Sequence, residues 1–165
     1  MTDEQPSIRL LIVDDEEDLT TFLAHRLRNR GLEVSMALSG SEAVAAAHEH
    51  TFDVAIVDLK MPDLDGITVM EELKAQQPFV EILMLTGHGS HDSAWEAGRL
   101  QAFRYLLKPF DFDELYELIL AAAAQRRKRM SSEFEHRLES LMSGTTSPRE
   151  LIEKSEKLRR EYEQE

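Results

Sequence analysis

The chain has 165 residues, 42% of them apolar and none of them cysteine, which permits a hydrophobic core of ordinary size but excludes a disulfide-built secreted fold and a thiolate metal centre. Its formal charge of −13 is unevenly divided: residues 1–124 hold 9 basic and 23 acidic side chains, residues 125–165 hold 10 basic and 9 acidic. A body this acidic repels nucleic-acid phosphates, and the opening MTDEQPS has acids where a secretory leader has bases, so a soluble cytoplasmic protein without direct nucleic-acid or membrane partners is expected.

In chain order, short runs rich in Ile, Val and Leu at 8–13, 33–37, 54–57, 82–85 and 103–107 read as buried strands. The first is followed by a helix with Leu19, Phe22, Leu23 and Leu27 on one face, closed by Gly31. Ser39-Gly40-Ser41 opens a second helix bearing Ala43, Val44 and Ala47, with Glu42 near its positive end. Pro62 and Gly66 bracket a loop before a third helix with Val69, Met70 and Leu73, and a short helix containing Gly98 is predicted over 93–100. Asp111 caps a last body helix bearing Leu115, Leu118, Ile119 and Ala122.

That helix is expected to run on past the basic cluster Arg126-Arg127-Lys128-Arg129, because Met130, Phe134, Leu138 and Leu141 continue an apolar face that needs a partner. After Gly144-Thr145-Thr146, Ser147-Pro148-Arg149-Glu150 has the form of a capping box with Pro at the first helical position. The final helix has Glu150/Lys154, Glu153/Lys157 and Glu156/Arg160 at i, i+4 spacing. The expected architecture is α/β, a doubly wound parallel sheet over 7–124 with a helical C-terminal extension over 125–165.

In an open parallel sheet function gathers beyond the carboxyl ends of the strands. Those ends carry Asp14-Asp15-Glu16, Asp58, Thr86-Gly87 and Lys108-Pro109. Taken singly each has a bland explanation: an acidic helix start, a loop cap, a strand-end hydroxyl and a turn. Taken together, three carboxylates converging on one rim call for a hard divalent cation, and Mg²⁺ suits oxygen ligands. One carboxylate oxygen can then attack phosphorus while Lys108 neutralises phosphoryl charge and the Thr86 hydroxyl bonds the arriving group.

Asp14-Asp15, the stretch Asp58-Leu59-Lys60-Met61-Pro62 through Gly66, Leu85-Thr86-Gly87 and Tyr105-Leu106-Leu107-Lys108-Pro109-Phe110 together resemble the receiver domain of two-component response regulators. The resemblance implies a five-stranded sheet in the order 2-1-3-4-5, and Asp58 as phosphoacceptor from a phosphohistidine of a sensor histidine kinase or phosphotransfer protein. It implies Mg²⁺ held by Asp14, Asp15, Asp58 and the backbone carbonyl of Lys60. Thr86 and Tyr105 would be the switch pair, and Lys108 would hold the phosphoryl group beside a cis bond to Pro109. Gln101 stands where many relatives have glycine, and Lys60 and His88 occupy positions expected to tune the lifetime of the phosphorylated state.

His48 with His50 and His88 with His91 are read as solvated surface, and Trp95 and Met84 as packing residues. The basic run Arg126 to Arg129 reads as a solvated helix face. The leading functional expectation is a response regulator acting through a phosphorylation-dependent contact with a downstream protein target, without a DNA-binding output of its own, and with a homodimer through the C-terminal helices. The alternative is the receiver and linker helix of a longer transcription activator, which the Leu-Thr-Gly-His-Gly phrasing resembles. An aspartyl phosphohydrolase is disfavoured, because such enzymes usually place a carboxylate where this chain has Lys60, so the expectation is a phosphoacceptor switch and not an enzyme.

Overall fold

A computed structural model describes residues 7–87, 102–144 and 147–165. Five strands form one parallel sheet: β1 (Arg9–Val13), β2 (Glu33–Ala37), β3 (Val54–Asp58), β4 (Glu81–Thr86) and β5 (Arg104–Leu107), in the spatial order β2-β1-β3-β4-β5. Helices α1 (Glu17–Arg28), α2 (Gly40–Glu49), α3 (Gly66–Gln76), α4 (Phe112–Gly144) and α5 (Pro148–Glu163) complete the described elements. The chain is thus the expected doubly wound α/β fold. The helix predicted over 93–100 with Gly98, and the positions His88, His91, Trp95 and Gln101, lie outside the described residues.

Alternation along the central strands sends successive side chains to opposite faces of the sheet. Leu10, Ile12, Val54, Ile56, Leu83 and Leu85 pack with Leu23 and Leu27 of α1 and with Leu115 and Ile119 of α4. On the other face Leu11, Val13, Ala55, Val57, Ile82 and Met84 pack with Ala43 and Ala47 of α2 and with Val69, Met70 and Leu73 of α3. Both faces of β3 and β4 are therefore covered, which is why these strands read as unbroken apolar runs and not as alternating ones.

The boundary signals have identifiable partners. Gly31, at φ 88°, donates to Arg28 O at 2.9 Å and Leu32 N donates to Leu27 O at 3.2 Å, the paired closure that ends a helix in the left-handed region. Ser39 Oγ accepts from Glu42 N at 3.1 Å, while Glu42 Oε2 accepts from Leu38 N at 2.8 Å. Asp111 Oδ1 accepts from Glu114 N at 3.0 Å, which fixes the start of α4. β3 runs one residue further than predicted, to Asp58, because Asp58 still pairs with Leu85 of β4.

The capping box expected at Ser147 is not formed. Pro148 does occupy the first turn of α5, but the Ser147 side chain makes no cap hydrogen bond, and the Glu150 carboxylate is drawn to Lys154 Nζ at 2.6 Å. Glu153 likewise pairs with Arg149 at 3.3 Å and not with Lys157. A charged partner one turn away outcompetes a neutral backbone amide for an exposed carboxylate.

By its internal contacts the chain divides into two compact units, Met1–Ala124 and Gln125–Glu165. Within the second unit the late part of α4 pairs antiparallel with α5. The Phe134 ring meets Tyr162 edge-on with centroids 5.4 Å apart, Arg137 Nη2 lies 3.4 Å from Glu161 Oε2, and Arg126 Nη2 donates to Glu165 O at 2.6 Å. Phe134 of the extended helix's apolar face therefore finds a partner, Tyr162, within the same chain. No helix among the described residues is long and apolar enough to cross a membrane.

Candidate functional site

A parallel sheet delivers all its carboxyl ends to one rim, and the register fixes which groups meet there. Val13 pairs with Val57, Asp58 with Leu85, and Thr86 with Leu107, so Asp14, Asp58, Thr86 and Lys108 emerge side by side. Carboxylate oxygens of Asp14, Asp15 and Asp58 all lie within 4.8 Å of one another. This is the one group of metal-ligating type among the described residues, so His48 and His50 belong to none.

Asp14 is 1% exposed and Asp58 7%, whereas Asp15 faces solvent. Two buried carboxylates beside a third require a counter-charge. Lys108 provides it: its Nζ stands 2.7 Å from Asp14 Oδ2, 3.2 Å from Glu16 Oε1 and 3.6 Å from Asp58 Oδ2. Asp14 Oδ1 also accepts from Glu16 N at 2.9 Å, and the Asp58 carboxylate takes a long 3.4 Å bond from Lys60 N.

Burial pushes the Asp58 carboxyl above its ordinary value; Lys108 opposes this, and the charges of Asp14 and Asp15 reinforce it. Burial pulls the Lys108 ammonium down, but its hydrogen bond to Asp14 and the charge of Asp58 outweigh that and the net direction is upward. The rim therefore holds more negative charge than one lysine neutralises. A clustered, oxygen-only donor set with surplus negative charge fits a hard divalent cation.

The remaining expected residues surround this cluster. Thr86 is 3% exposed and its Oγ1 donates to Gly87 O at 3.0 Å. Tyr105 lies on β5 opposite Met84, two residues before the partner of Thr86. Its hydroxyl is buried without a hydrogen-bond partner among the described residues, and burial raises its pKa. The Lys108–Pro109 peptide is cis. Gly66 is forced by packing: a Cβ there would strike the carbonyl oxygen of Asp58 and lie 2.8 Å from Leu59 Cα, so the loop after β3 folds back directly over the strand end.

Two participants were given no role by the sequence reading. Glu16, adjacent to the acidic pair, is the second carboxylate on Lys108. Asp63, in the loop after β3, bonds the start of α2. Glu16 could have been suspected from its place in the acidic run, whereas nothing local to Asp63 points to a partner 22 residues upstream.

The response regulator receiver domain family model matches residues 10–120 of this chain. Among curated relatives, the transcriptional regulatory protein ZraR of Salmonella typhimurium is 40% identical over 121 residues, covering 73% of this chain and 27% of that protein. Among solved structures, a response regulator receiver domain protein from Clostridium thermocellum is 34% identical with a TM-score of 0.69, over 73% of this chain and 97% of that one. NtrX from Brucella abortus is 27% identical with a TM-score of 0.73, over 78% of this chain and 30% of that one. The chain belongs to the response regulator receiver family, and it carries the receiver domain of a response regulator in two-component signalling. It spans about a quarter of the length of the curated relatives it matches.

Proposed function

We propose that Asp58 accepts a phosphoryl group from a phosphohistidine on a sensor histidine kinase or phosphotransfer protein, and that the receiver signals through the change this causes at its rim. The observation that carries the reading is the convergence of Asp14, Asp15 and Asp58 oxygens within 4.8 Å, with Lys108 Nζ 3.6 Å from the Asp58 carboxylate.

Asp14, Asp15, Asp58 and the backbone carbonyl of Lys60 are the residues to hold Mg²⁺. When bound, Mg²⁺ supplies positive charge to the oxygens of the transferring group. An Asp58 carboxylate oxygen forms the new bond to phosphorus, and the bond from phosphorus to the imidazole nitrogen breaks with its electron pair left on the nitrogen. Lys108, held between Asp14, Glu16 and Asp58, turns its ammonium to the phosphoryl oxygens. The Thr86 hydroxyl releases Gly87 O and donates to the phosphoryl group, and Tyr105, whose hydroxyl has no partner to lose among the described residues, follows into the vacated space. An open groove of about 670 Å³ beside Lys108, lined by Glu16, Leu19, Phe22 and Phe110, is large enough to take side chains of the phosphodonor protein and not the protein itself.

The protein in this reading is a phosphoacceptor switch and not an enzyme, since Lys60 stands where an aspartyl phosphohydrolase needs a carboxylate acid or base. Its output is a phosphorylation-dependent contact with a protein target, and its strongly acidic body favours no direct contact with nucleic acid. A second reading, the receiver piece of a longer transcription activator, is favoured by the 27% share of ZraR that the chain covers. Beryllofluoride with Mg²⁺ tests the first reading. It is expected to shift the backbone NMR resonances of Asp58, Thr86 and Tyr105 in the wild type and not in Asp58→Asn. Equal shifts in both would contradict it.

A further inference from the structure

The loop after the acceptor strand, residues 59–65, is closed at its base by Gly66 N, which donates to Leu59 O at 2.9 Å. Its far side is held by another element. One oxygen of Asp63 accepts from Gly40 N at 3.1 Å, and the other accepts from Ser41 N and from the Ser41 hydroxyl, each at 2.9 Å. Both amides belong to the first turn of α2, whose opening N–H groups have no partner within the helix. Ser39 serves a third amide, that of Glu42, so Asp63 completes from a distant loop a cap that the local sequence only begins.

The packing around this tether is built for close approach. A Cβ on Gly40 would stand 2.7 Å from Leu64 Cβ and 2.8 Å from Val69 Cγ2, so only glycine lets the start of α2 meet the loop. Backbone hydrogen bonds, first from Ser41 and then from Leu64 and Gly40, hold the Asp63 carboxyl far below the usual carboxylate range, which keeps it ionised. The same loop donates toward the acceptor, from Lys60 N to Asp58 Oδ1.

We propose that Asp63 is a positioning residue: by tying the loop to the first turn of α2 it fixes where Lys60 stands beside Asp58, and so sets the affinity of the acidic cluster for a divalent cation. The inference rests on the phosphoacceptor reading of Asp58 only in taking that cluster as the cation site. α2 supplies no residue to the acidic cluster, yet through Asp63 it holds the loop that does the positioning.

The test uses the full chain as wild type, Asp63→Ala, Asp63→Asn and Ser41→Ala, with Glu72→Gln as a control for the loss of one surface charge. Mg²⁺ affinity is measured by calorimetry, and amide hydrogen exchange is followed at Gly40, Ser41 and Lys60. Asp63→Ala is expected to weaken Mg²⁺ binding about fivefold, the consequence of losing one cap's worth of interaction. It is also expected to speed exchange at all three amides by about tenfold, with Ser41→Ala intermediate and Glu72→Gln unchanged. Should Asp63→Ala fail to fold, Asp63→Asn and Ser41→Ala are expected to show the same pattern at smaller size.

Faster exchange at Gly40 and Ser41 with unchanged Mg²⁺ affinity would make the tether a local cap and overturn the proposal. Unchanged exchange at all three amides would overturn it too. A wild type that binds Mg²⁺ but takes no phosphoryl group would sink the phosphoacceptor reading and leave the positioning role standing on the metal and exchange results.

Discussion

Burial raises the Asp58 carboxyl above the ordinary value of 3.8, and the neighbouring charges of Asp14 and Asp15 add to this against the pull of Lys108. A carboxyl whose folded pKa lies above its unfolded value favours the folded state below about 3.8 and loses that contribution as pH rises through the folded pKa. In metal-free protein the ionised Asp58 therefore costs stability at neutral pH. Asp58→Asn is expected to melt a few degrees higher than wild type at pH 7 without Mg²⁺, by differential scanning calorimetry. The gap should shrink as pH falls toward 4, and Mg²⁺ should close it by stabilising the wild type. A mutant that melts lower than wild type at pH 7 in chelator would show that Lys108 overcompensates the cluster. The acidic character of this site was readable from residue types at strand ends. The role of Glu16 was not, because its ion pair to Lys108 spans 92 positions and depends on how α1 leaves β1.

At the scale of elements, α1 and α4 are joined by more than their apolar faces. The Arg26 guanidinium stands 3.6 Å from the Phe112 ring centroid and 5.6 Å from that of Phe22, and Arg30 lies 4.7 Å from that of Tyr116 while pairing with Asp113. The close stack on Phe112 covers aromatic surface, whereas the pair of Arg30 with Asp113 is screened by water. Arg26→Ala is expected to cost about 1 kcal/mol in urea unfolding, and Asp113→Ala less than about 0.5 kcal/mol. Equal losses would mean that charge pairing and not stacking joins the two helices. The strands were legible because apolar residues run unbroken from Val54 to Val57 and from Ile82 to Leu85, and Gly31, Ser39 and Asp111 marked helix ends by local chemistry. Ser147 misled because the sequence offers Glu150 two roles, capping-box partner and i, i+4 partner of Lys154, and only the second is formed. Asp63 stayed hidden because its bonds join elements that are neighbours only in the folded chain.

For the whole molecule, every group on the rim lies in the unit Met1–Ala124, while Gln125–Glu165 pairs the late part of α4 with α5 through Phe134, Tyr162 and Arg137. A chain ending at Ala124 is accordingly expected to bind Mg²⁺ and take up a phosphoryl group within about twofold of the full-length rate, since no rim group is lost. The contrasting result, a receiver that loses Mg²⁺ binding on truncation, would assign the second unit a part in the site. Phe134→Ala should raise amide exchange along residues 126–163 and leave the exchange of β1 and β3 amides unchanged. Phe134 of the extended helix is met by Tyr162 within the chain, and self-association through the C-terminal helices is tested by size exclusion of the full-length protein with and without beryllofluoride.

The central claim is tested most directly by intact mass spectrometry after incubation with acetyl phosphate and Mg²⁺, followed by peptide mapping of the adduct. The expected result is one phosphoryl group per chain, located on Asp58, lost on adding chelator before the donor and lacking in Asp58→Asn. An adduct that persists in Asp58→Asn, or a wild type that gains no phosphoryl group with Mg²⁺ present, would contradict the assignment of Asp58 as the phosphoacceptor.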